Sequence, residues 1–185
     1  MIVVDLETSG LDERIHSILS VGAVEFENPN NKFYGECRRR YGAEVDPEAL
    51  AKNGFTPDYI AGIEKSCYGL LVDFRKWALR INDRTLGGMV PSFDAGFLRS
   101  HFDIYGMTWI FGRRFVDLHT AFYLYLIRTG KEIPLKDGIL RGNLDFILEY
   151  LKIPGRKTEH HNALEDAQLT ATAFYALIDK PIPEQ

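Results

Sequence analysis

The stretch that decides the fold lies at the start of the chain, where residues 2–10 read Ile-Val-Val-Asp-Leu-Glu-Thr-Ser-Gly. The nearly continuous apolar run predicts a buried strand, and the Thr-Ser-Gly sequence predicts that the strand ends there. Asp5 and Glu7 are two positions apart, so a pleated strand turns both carboxylates to the same face. Adjacent buried carboxylates are unfavourable unless the strand end reaches water or a cation binds between them. The stretch therefore predicts either a solvated strand end or a cation site.

The segments that follow predict a sheet in which antiparallel strands come first. Residues 15–26 are β-branched and apolar, and the Asn-Pro-Asn-Asn sequence at 28–31 predicts a turn into a returning strand over 33–41. Beyond residue 47 helical periods dominate, with short strands predicted at 85–90 and 115–118. This order predicts an α/β fold, in which a mixed five-stranded sheet begins as three antiparallel strands, continues with parallel strands and is flanked by helices.

Composition restricts the class of protein. The 185 residues include 45% hydrophobic and 26% charged residues, which is typical of one globular domain, and the net charge is −4. The chain lacks the overall positive charge that would indicate a nucleic-acid partner, so such a partner must bind a local patch. The two cysteines, Cys37 and Cys67, exclude a disulfide scaffold and a cysteine-rich zinc module. No signal peptide or membrane-spanning segment is visible, so we expect a cytoplasmic protein without a membrane partner.

Two further acids stand at the starts of helices. Asp94 follows the strand predicted at 85–90, and Asp166 falls in the first turns of a final helix that Asn162 can cap. Helix capping and the helix dipole alone explain each of them. His161 reaches the same place as Asp166 only if it lies outside this helix, because five residues make about 1.4 helical turns. The Asn162 cap predicts that placement.

Three blocks together resemble the DEDDh family of 3′-to-5′ exonucleases, which has a ribonuclease H-like fold. The blocks are residues 3–10 with 18–24, residues 93–98 and residues 161–167. A fourth block, residues 45–56, is similar to a segment of the proofreading subunits of bacterial DNA polymerase III. Each block is weak alone, but their order and intervals also fit. The resemblance assigns residues 1–178 to an exonuclease domain and leaves residues 179–185 as a short C-terminal tail.

The resemblance implies a two-metal site and a histidine base. Two divalent cations, Mg²⁺ or Mn²⁺, would be bound by four acids, with Asp5 bridging both ions. Glu7 and Asp166 would complete the ion site that activates water, and Asp94 would serve the second ion. His161 would accept the proton of the attacking water, because its spacing to Asp166 fits the family pattern better than that of His160.

Substrate contacts are the least specific part of the resemblance. Thr8 and Leu11 match positions where relatives contact the terminal nucleotide, and Phe93 matches a position near the metals. Turn polarity and core packing explain the same residues without a substrate. Asn53 stands where proofreading subunits often carry a histidine beside the substrate, and residues 89–92 replace a His-Asn pair that many relatives place there. Both departures affect substrate handling rather than metal binding.

Two functions remain open at this point. The first is a metal-dependent 3′-to-5′ exonuclease that acts on single-stranded nucleic acid ends, with DNA favoured and RNA also open, and releases nucleoside monophosphates. The second is a nucleic-acid-binding module that keeps the metal site but has lost catalysis. A homodimer is equally open. The basic runs, including Arg156 with Lys157, could contact phosphates, but such runs are more often solvated surface charge and are interpreted in that way.

Overall fold

The computed structural model describes residues 1–179, so the predicted tail lies outside the described residues except for Asp179. Five strands form one sheet with the order β3-β2-β1-β4-β5. β1 pairs antiparallel with β2, and β2 with β3, whereas the pairs β1–β4 and β4–β5 are parallel. The strands are β1 (Ile2–Thr8), β2 (Ile18–Glu25), β3 (Asn28–Glu36), β4 (Leu86–Gly88) and β5 (Phe115–Asp117). This topology confirms the predicted mixed sheet of the ribonuclease H-like fold.

Helices cover the sheet, and a small hairpin that the sequence did not predict follows the fifth helix. The helices are α1 (Pro47–Asn53), α2 (Pro57–Gly62), α3 (Cys67–Ala78), α4 (Pro91–Ile104), α5 (Leu118–Arg128), α6 (Leu144–Leu151) and α7 (Ala163–Leu177). The hairpin pairs β6 (Leu135–Lys136) with β7 (Ile139–Leu140). Within residues 1–179, no helix is both long enough and apolar enough to span a bilayer.

The two faces of the central strand β1 contribute to different cores. Ile2, Val4 and Leu6 belong to the cluster that contains the buried side chains of α3 and α4. Val3 belongs to the cluster formed by α5, α6 and α7. Because side chains alternate along a strand, Asp5 and Glu7 share the face of Val3 and point towards the α7 side of the sheet.

Several boundaries differ from the sequence prediction, including the end of β3 at Glu36 instead of residue 41. Two of the differences have a clear physical reason. The turn predicted at residues 28–31 is wrong, because β3 already begins at Asn28, which pairs with Glu25. β3 is the edge strand of the sheet, where Pro29 needs no partner for a missing N–H group. The helix α4 begins at Pro91, whose fixed φ angle suits the first helical position. Asp94 therefore lies inside the first turn of α4 and does not cap it.

Gly22 is the residue that lets the final helix approach the strand carrying the acids. It is the cross-strand partner of Asp5 in the β1–β2 pair. A Cβ atom at Gly22 would lie 2.1 Å from the carbonyl carbon of Ala163 and 2.1 Å from the backbone nitrogen of Leu164. Only glycine permits this close approach of two backbones, so the start of α7 rests directly on the sheet beside Asp5.

We therefore expect Gly22→Ala to displace α7 and to lower the thermal midpoint by roughly 5–10 °C, since overpacking of this kind costs about 1–3 kcal/mol. Gly62→Ala is the matched control, because a Cβ at Gly62 meets no atom within 4 Å. Calorimetric melting of both variants against the wild type measures the effect. Equal midpoints for the two variants would contradict the close packing of α7 on β2.

Candidate active site

The first two acids occupy the carboxyl-terminal half of β1. Asp5 is partly buried and Glu7 is only 8% exposed. The Oε1 atom of Glu7 is buried and has no hydrogen-bond partner among residues 1–179. The same holds for the hydroxyl of Ser20, the residue that pairs with Glu7 across β1 and β2. An unpartnered buried carboxylate oxygen is unfavourable unless a further group binds it.

The other two acids and the histidine reach the same place from helix starts. Asp94 and Asp166 lie in the first turns of α4 and α7 and are almost fully buried. Asn162 caps α7 by accepting hydrogen bonds from the backbone N–H groups of Leu164 and Glu165. His161 therefore lies outside the helix, as the cap predicts, and its Nδ1 is 3.5 Å from Oδ2 of Asp166.

One open cavity of about 650 Å³ joins these groups. All five residues that the sequence predicts to be catalytic or metal-binding line it: Asp5, Glu7, Asp94, His161 and Asp166. They come from β1, α4, the loop before α7 and α7 itself. The five side chains are thus brought together by the parallel packing of β1 and β4 and by the seat of α7 on the sheet.

Burial makes the charged forms of these acids unfavourable. It raises the pKa of Glu7 to about 8, and the Asp166 carboxylate adds to the rise. It raises the pKa of Asp94 to about 7, although the backbone N–H groups of Asp94 and Leu6 oppose the shift. Burial and the carboxylates of Asp94 and Glu7 raise the pKa of Asp5 well above its usual value. The positive charge in the site is therefore too small to balance the negative charges of its acids.

The donor set fits a divalent cation. One ligand atom each from Glu7, His161 and Asp166 can be chosen so that all lie within 4.8 Å of one another. The unpartnered Oε1 of Glu7 offers a free lone pair in the same place. Carboxylate oxygens are the ligands that hard cations such as Mg²⁺ prefer, and Mn²⁺ accepts the same set. The residues present are suited to hold such an ion.

Arg156 is a site residue, although the sequence interpretation favoured solvated surface charge over phosphate contact for this basic pair. Its Nε and Nη2 donate to the two oxygens of Asp166, at 2.6 and 3.1 Å, and its Nη1 donates to Asp145. The Arg156 side chain is only 10% exposed. It lies on the loop between α6 and α7, five residues before His161, and lines the same cavity. The basic pair is thus split, with Arg156 forming part of the cavity wall.

The four predicted substrate contacts fall into two groups. Leu11, which is 74% exposed, and Phe93 line the cavity of the acids. The Thr8 hydroxyl instead donates to the carbonyl of Gly10, and the Asn53 amide donates to the carbonyl of Thr8. These two side chains stabilise the turn after β1 and the end of α1.

The second histidine of the pair lies on the other side of the loop. His160 packs over Gly54, and it lines a neighbouring pocket together with Phe55 and Tyr59. It does not line the cavity of the acids, whereas His161 does. His161 also lines that neighbouring pocket, but of the two histidines only His161 reaches the cavity of the acids.

The raised pKa values predict how the metal-free protein responds to pH. Between about pH 4.5 and 8 the folded state keeps protons on Glu7 and Asp94 that the unfolded chain has released. The free energy of unfolding therefore falls as pH rises through this range. In chelator, we expect the thermal midpoint of the wild type to fall by roughly 5 °C more between pH 5.5 and 8 than that of Glu7→Gln.

Exposed Glu132 provides the control for this prediction, because its replacement by glutamine removes an equal charge away from the site. Melting curves at both pH values for wild type, Glu7→Gln and Glu132→Gln decide the outcome. A Glu7→Gln midpoint that follows the wild type at every pH would contradict the burial of Glu7 as a raised-pKa acid.

Comparison with known proteins places this geometry in a family. A family model described as Exonuclease, RNase_T, matches residues 2–174. No curated protein sequence gives a significant match to the chain.

Solved structures share the fold. Cell-death related nuclease 4 (CRN-4) has a TM-score of 0.75 at 15% identity, over 96% of this chain and 63% of that chain. The nuclease domain of 3′hExo, a DEDDh family member bound to rAMP, gives 0.72 at 14% identity, over 96% and 90%. Exonuclease I of E. coli in complex with a dA16 oligonucleotide gives 0.75 at 18% identity, over 96% and 40%. The chain thus spans less than two thirds of CRN-4 and of Exonuclease I.

Proposed function

The chain belongs to the RNase_T family of exonucleases, and we propose that it is a metal-dependent 3′-to-5′ exonuclease of the DEDDh type. It hydrolyses phosphodiester bonds at single-stranded 3′ ends, with DNA favoured and RNA as the other substrate, and releases nucleoside monophosphates. The proposal assigns this activity to a domain that covers residues 1–178. The family match also confirms the resemblance predicted from the three sequence blocks.

The observation that carries the proposal is the common cavity of five residues. Asp5, Glu7, Asp94, His161 and Asp166 line it, although they are spread over 162 positions of the chain. Isolated capping acids would have no reason to converge with an unpartnered Glu7 oxygen and a histidine. Their convergence supports one chemical site.

Asp5, Glu7, Asp94 and Asp166 would hold two divalent cations, Mg²⁺ or Mn²⁺. When bound, such ions supply the positive charge that favours loss of a proton from water and stabilises the leaving 3′-oxygen. Glu7, Asp94 and Asp166 are buried and Asp5 is partly buried, so the four carboxylates are held in fixed positions.

We assign the role of general base to His161. Its side chain is 43% exposed, so the ring reaches water as well as the cavity. Its backbone N–H donates to the carbonyl of Lys52 at 3.0 Å, which fixes the residue outside α7. A histidine suits proton transfer near neutral pH because its ordinary pKa lies there.

The cavity also supplies an apolar wall for the end of the substrate. We assign Leu11 and Phe93 to contact with the terminal nucleoside, because both line the cavity beside the acids. Thr8 and Asn53 would then act indirectly, by shaping the turn that carries Leu11. Met89 and Val90, which stand where many relatives carry a His-Asn pair, line the same cavity and would affect the fit of the nucleotide.

Incubation of 5′-labelled single-stranded DNA and RNA with the protein, in Mg²⁺, in Mn²⁺ or in chelator, tests the proposal. We expect metal-dependent shortening from the 3′ end and nucleoside 5′-monophosphates as products. Retention of both oligonucleotides in a gel-shift assay without shortening in either metal would instead indicate the non-catalytic binding module. Undiminished cleavage in chelator would contradict the role of the acids.

A further inference from the structure

Arg156 supplies positive charge to the acid site in this structure, although not enough to balance all of its acids. Its contacts with Asp166 and Asp145 use three of the five N–H groups of a guanidinium. Of the charged residues that line the cavity, only Arg156 and Lys52 are cationic, and Lys52 is exposed at the end of α1. The arginine thus occupies the place on Asp166 where positive charge is needed.

This ion pair conflicts with metal binding by the same carboxylate. Both oxygens of Asp166 accept hydrogen bonds from Arg156, and the His161 ring lies 3.5 Å from one of them. A cation bound to Asp166 requires at least one of these oxygens directly. The cation takes a lone pair of that oxygen and repels the guanidinium, so the two-pronged contact between Arg156 and Asp166 is weakened and its N–H groups become available.

The released arginine stays at the cavity because Asp145 holds its other end. Asp145 lies in the first turn of α6, is 58% exposed and accepts from Nη1 of Arg156. A guanidinium anchored in this way presents Nε and Nη2 towards the interior of the cavity, where they now meet Asp166. The planar fork that fits a carboxylate also fits two oxygens of a phosphate.

We propose that Arg156 is a phosphate-binding residue of this site. In the metal-free protein the Arg156 side chain is held by Asp166, and it becomes available to the substrate when Asp166 binds a divalent cation. The inference rests on the proposed function and extends it to a substrate-positioning residue. We therefore expect the cation to bind before the phosphate, because in the metal-free protein the guanidinium of Arg156 is paired with Asp166.

Titration calorimetry with adenosine 5′-monophosphate, which is a product and is not consumed, tests the inference without an activity assay. In Mg²⁺, Arg156→Gln should bind the nucleotide about 10-fold more weakly than wild type, as expected for loss of a charge-assisted contact. In chelator the same substitution should not weaken binding. Adenosine, which lacks the phosphate, should bind wild type and variant equally.

A second readout is Mn²⁺ binding in the absence of nucleotide. Arg156→Gln should bind Mn²⁺ more tightly than wild type, because Asp166 no longer has an internal competitor. Weaker Mn²⁺ binding would overturn the inference and would mean that Arg156 only holds Asp166 in position for the ion.

Lys52→Gln is the matched control, since Lys52 lines the cavity but has no contact with Asp166 in the described residues. An equal loss of nucleotide binding in Lys52→Gln would also overturn it, by showing a general charge effect.

Asp145→Asn keeps the test informative if Arg156→Gln does not fold. Asp145 is exposed, so this substitution should be tolerated, and in Mg²⁺ it should weaken nucleotide binding about threefold by loosening the anchor of Arg156. Unchanged nucleotide binding in this variant would count against the inference. If all variants bind the nucleotide like a wild type that degrades DNA, only the inference fails. If the wild type neither binds the nucleotide nor degrades DNA, the proposed function fails with it.

Discussion

Asp5→Asn is expected to lower the rate of 3′-end removal by at least about 10³-fold, the largest effect of any single substitution in the site. Asp5 is the acid flanked by Asp94, Glu7 and Asp166, whose charges all raise its pKa. An amide of the same shape keeps the packing but contributes no negative charge to hold a cation. The fold should therefore survive while the activity is lost.

The control for this prediction is another aspartate that the structure assigns to folding alone. Asp117 caps α5 by accepting from the N–H of Thr120, and asparagine is equally good at this position. Asp117→Asn should keep near-normal turnover in the same gel assay of labelled DNA. Near-normal turnover in Asp5→Asn as well would contradict the assignment of the acids.

His161→Ala is expected to lose roughly 10²–10⁴-fold in rate, the range for removal of a general base. The four acids remain in place, so binding of Mn²⁺ measured by calorimetry should be largely kept. The neighbouring residue gives the control, because His160 lies over Gly54 and outside the cavity. His160→Ala should change the rate by less than about threefold.

The reverse ranking of the two histidine variants would show that the third sequence block is displaced by one residue. Loss of Mn²⁺ binding in His161→Ala would show instead that the ring is needed as a ligand. Its Nδ1 lies near Asp166 and within the group of atoms that could hold an ion. Rates and binding must therefore be measured on the same preparations.

The order of the five-stranded sheet and the meeting of the five candidate residues in one cavity were predictable from local patterns together with the resemblance of the three blocks. The period of two in β1 places Asp5 and Glu7 on one face whatever the rest of the chain does. The Asn162 cap excludes His161 from α7 by local hydrogen bonding. The order of the three blocks indicates which segments pack together in the fold, and no single block indicates this.

The role of Arg156 was not predictable because both of its partners are tertiary neighbours. Asp145 and Asp166 are 11 and 10 positions away in sequence and lie on different helices. A basic pair in a polar loop is usually solvated, and nothing in the local pattern distinguishes this one. The sequence does offer one signal, because four acids predicted to share a site need a cationic residue near them.

The start of the edge strand β3 was misjudged for a related reason. Residues 28–31 have the composition of a turn, and that composition is also tolerated in a strand that pairs on only one side. Whether a strand is at the edge depends on the topology of the whole sheet. The turn itself is reduced to Phe26 and Glu27 between β2 and β3.

Removal of nucleotides from 3′ ends by this cavity, with the help of divalent cations, can be followed in a time course on one 5′-labelled single-stranded DNA. Wild type and Asp5→Asn are compared in Mg²⁺ and in chelator. We expect a ladder that shortens one nucleotide at a time only for wild type in Mg²⁺. Internal cleavage as the first product, or equal shortening by Asp5→Asn, would contradict this expectation.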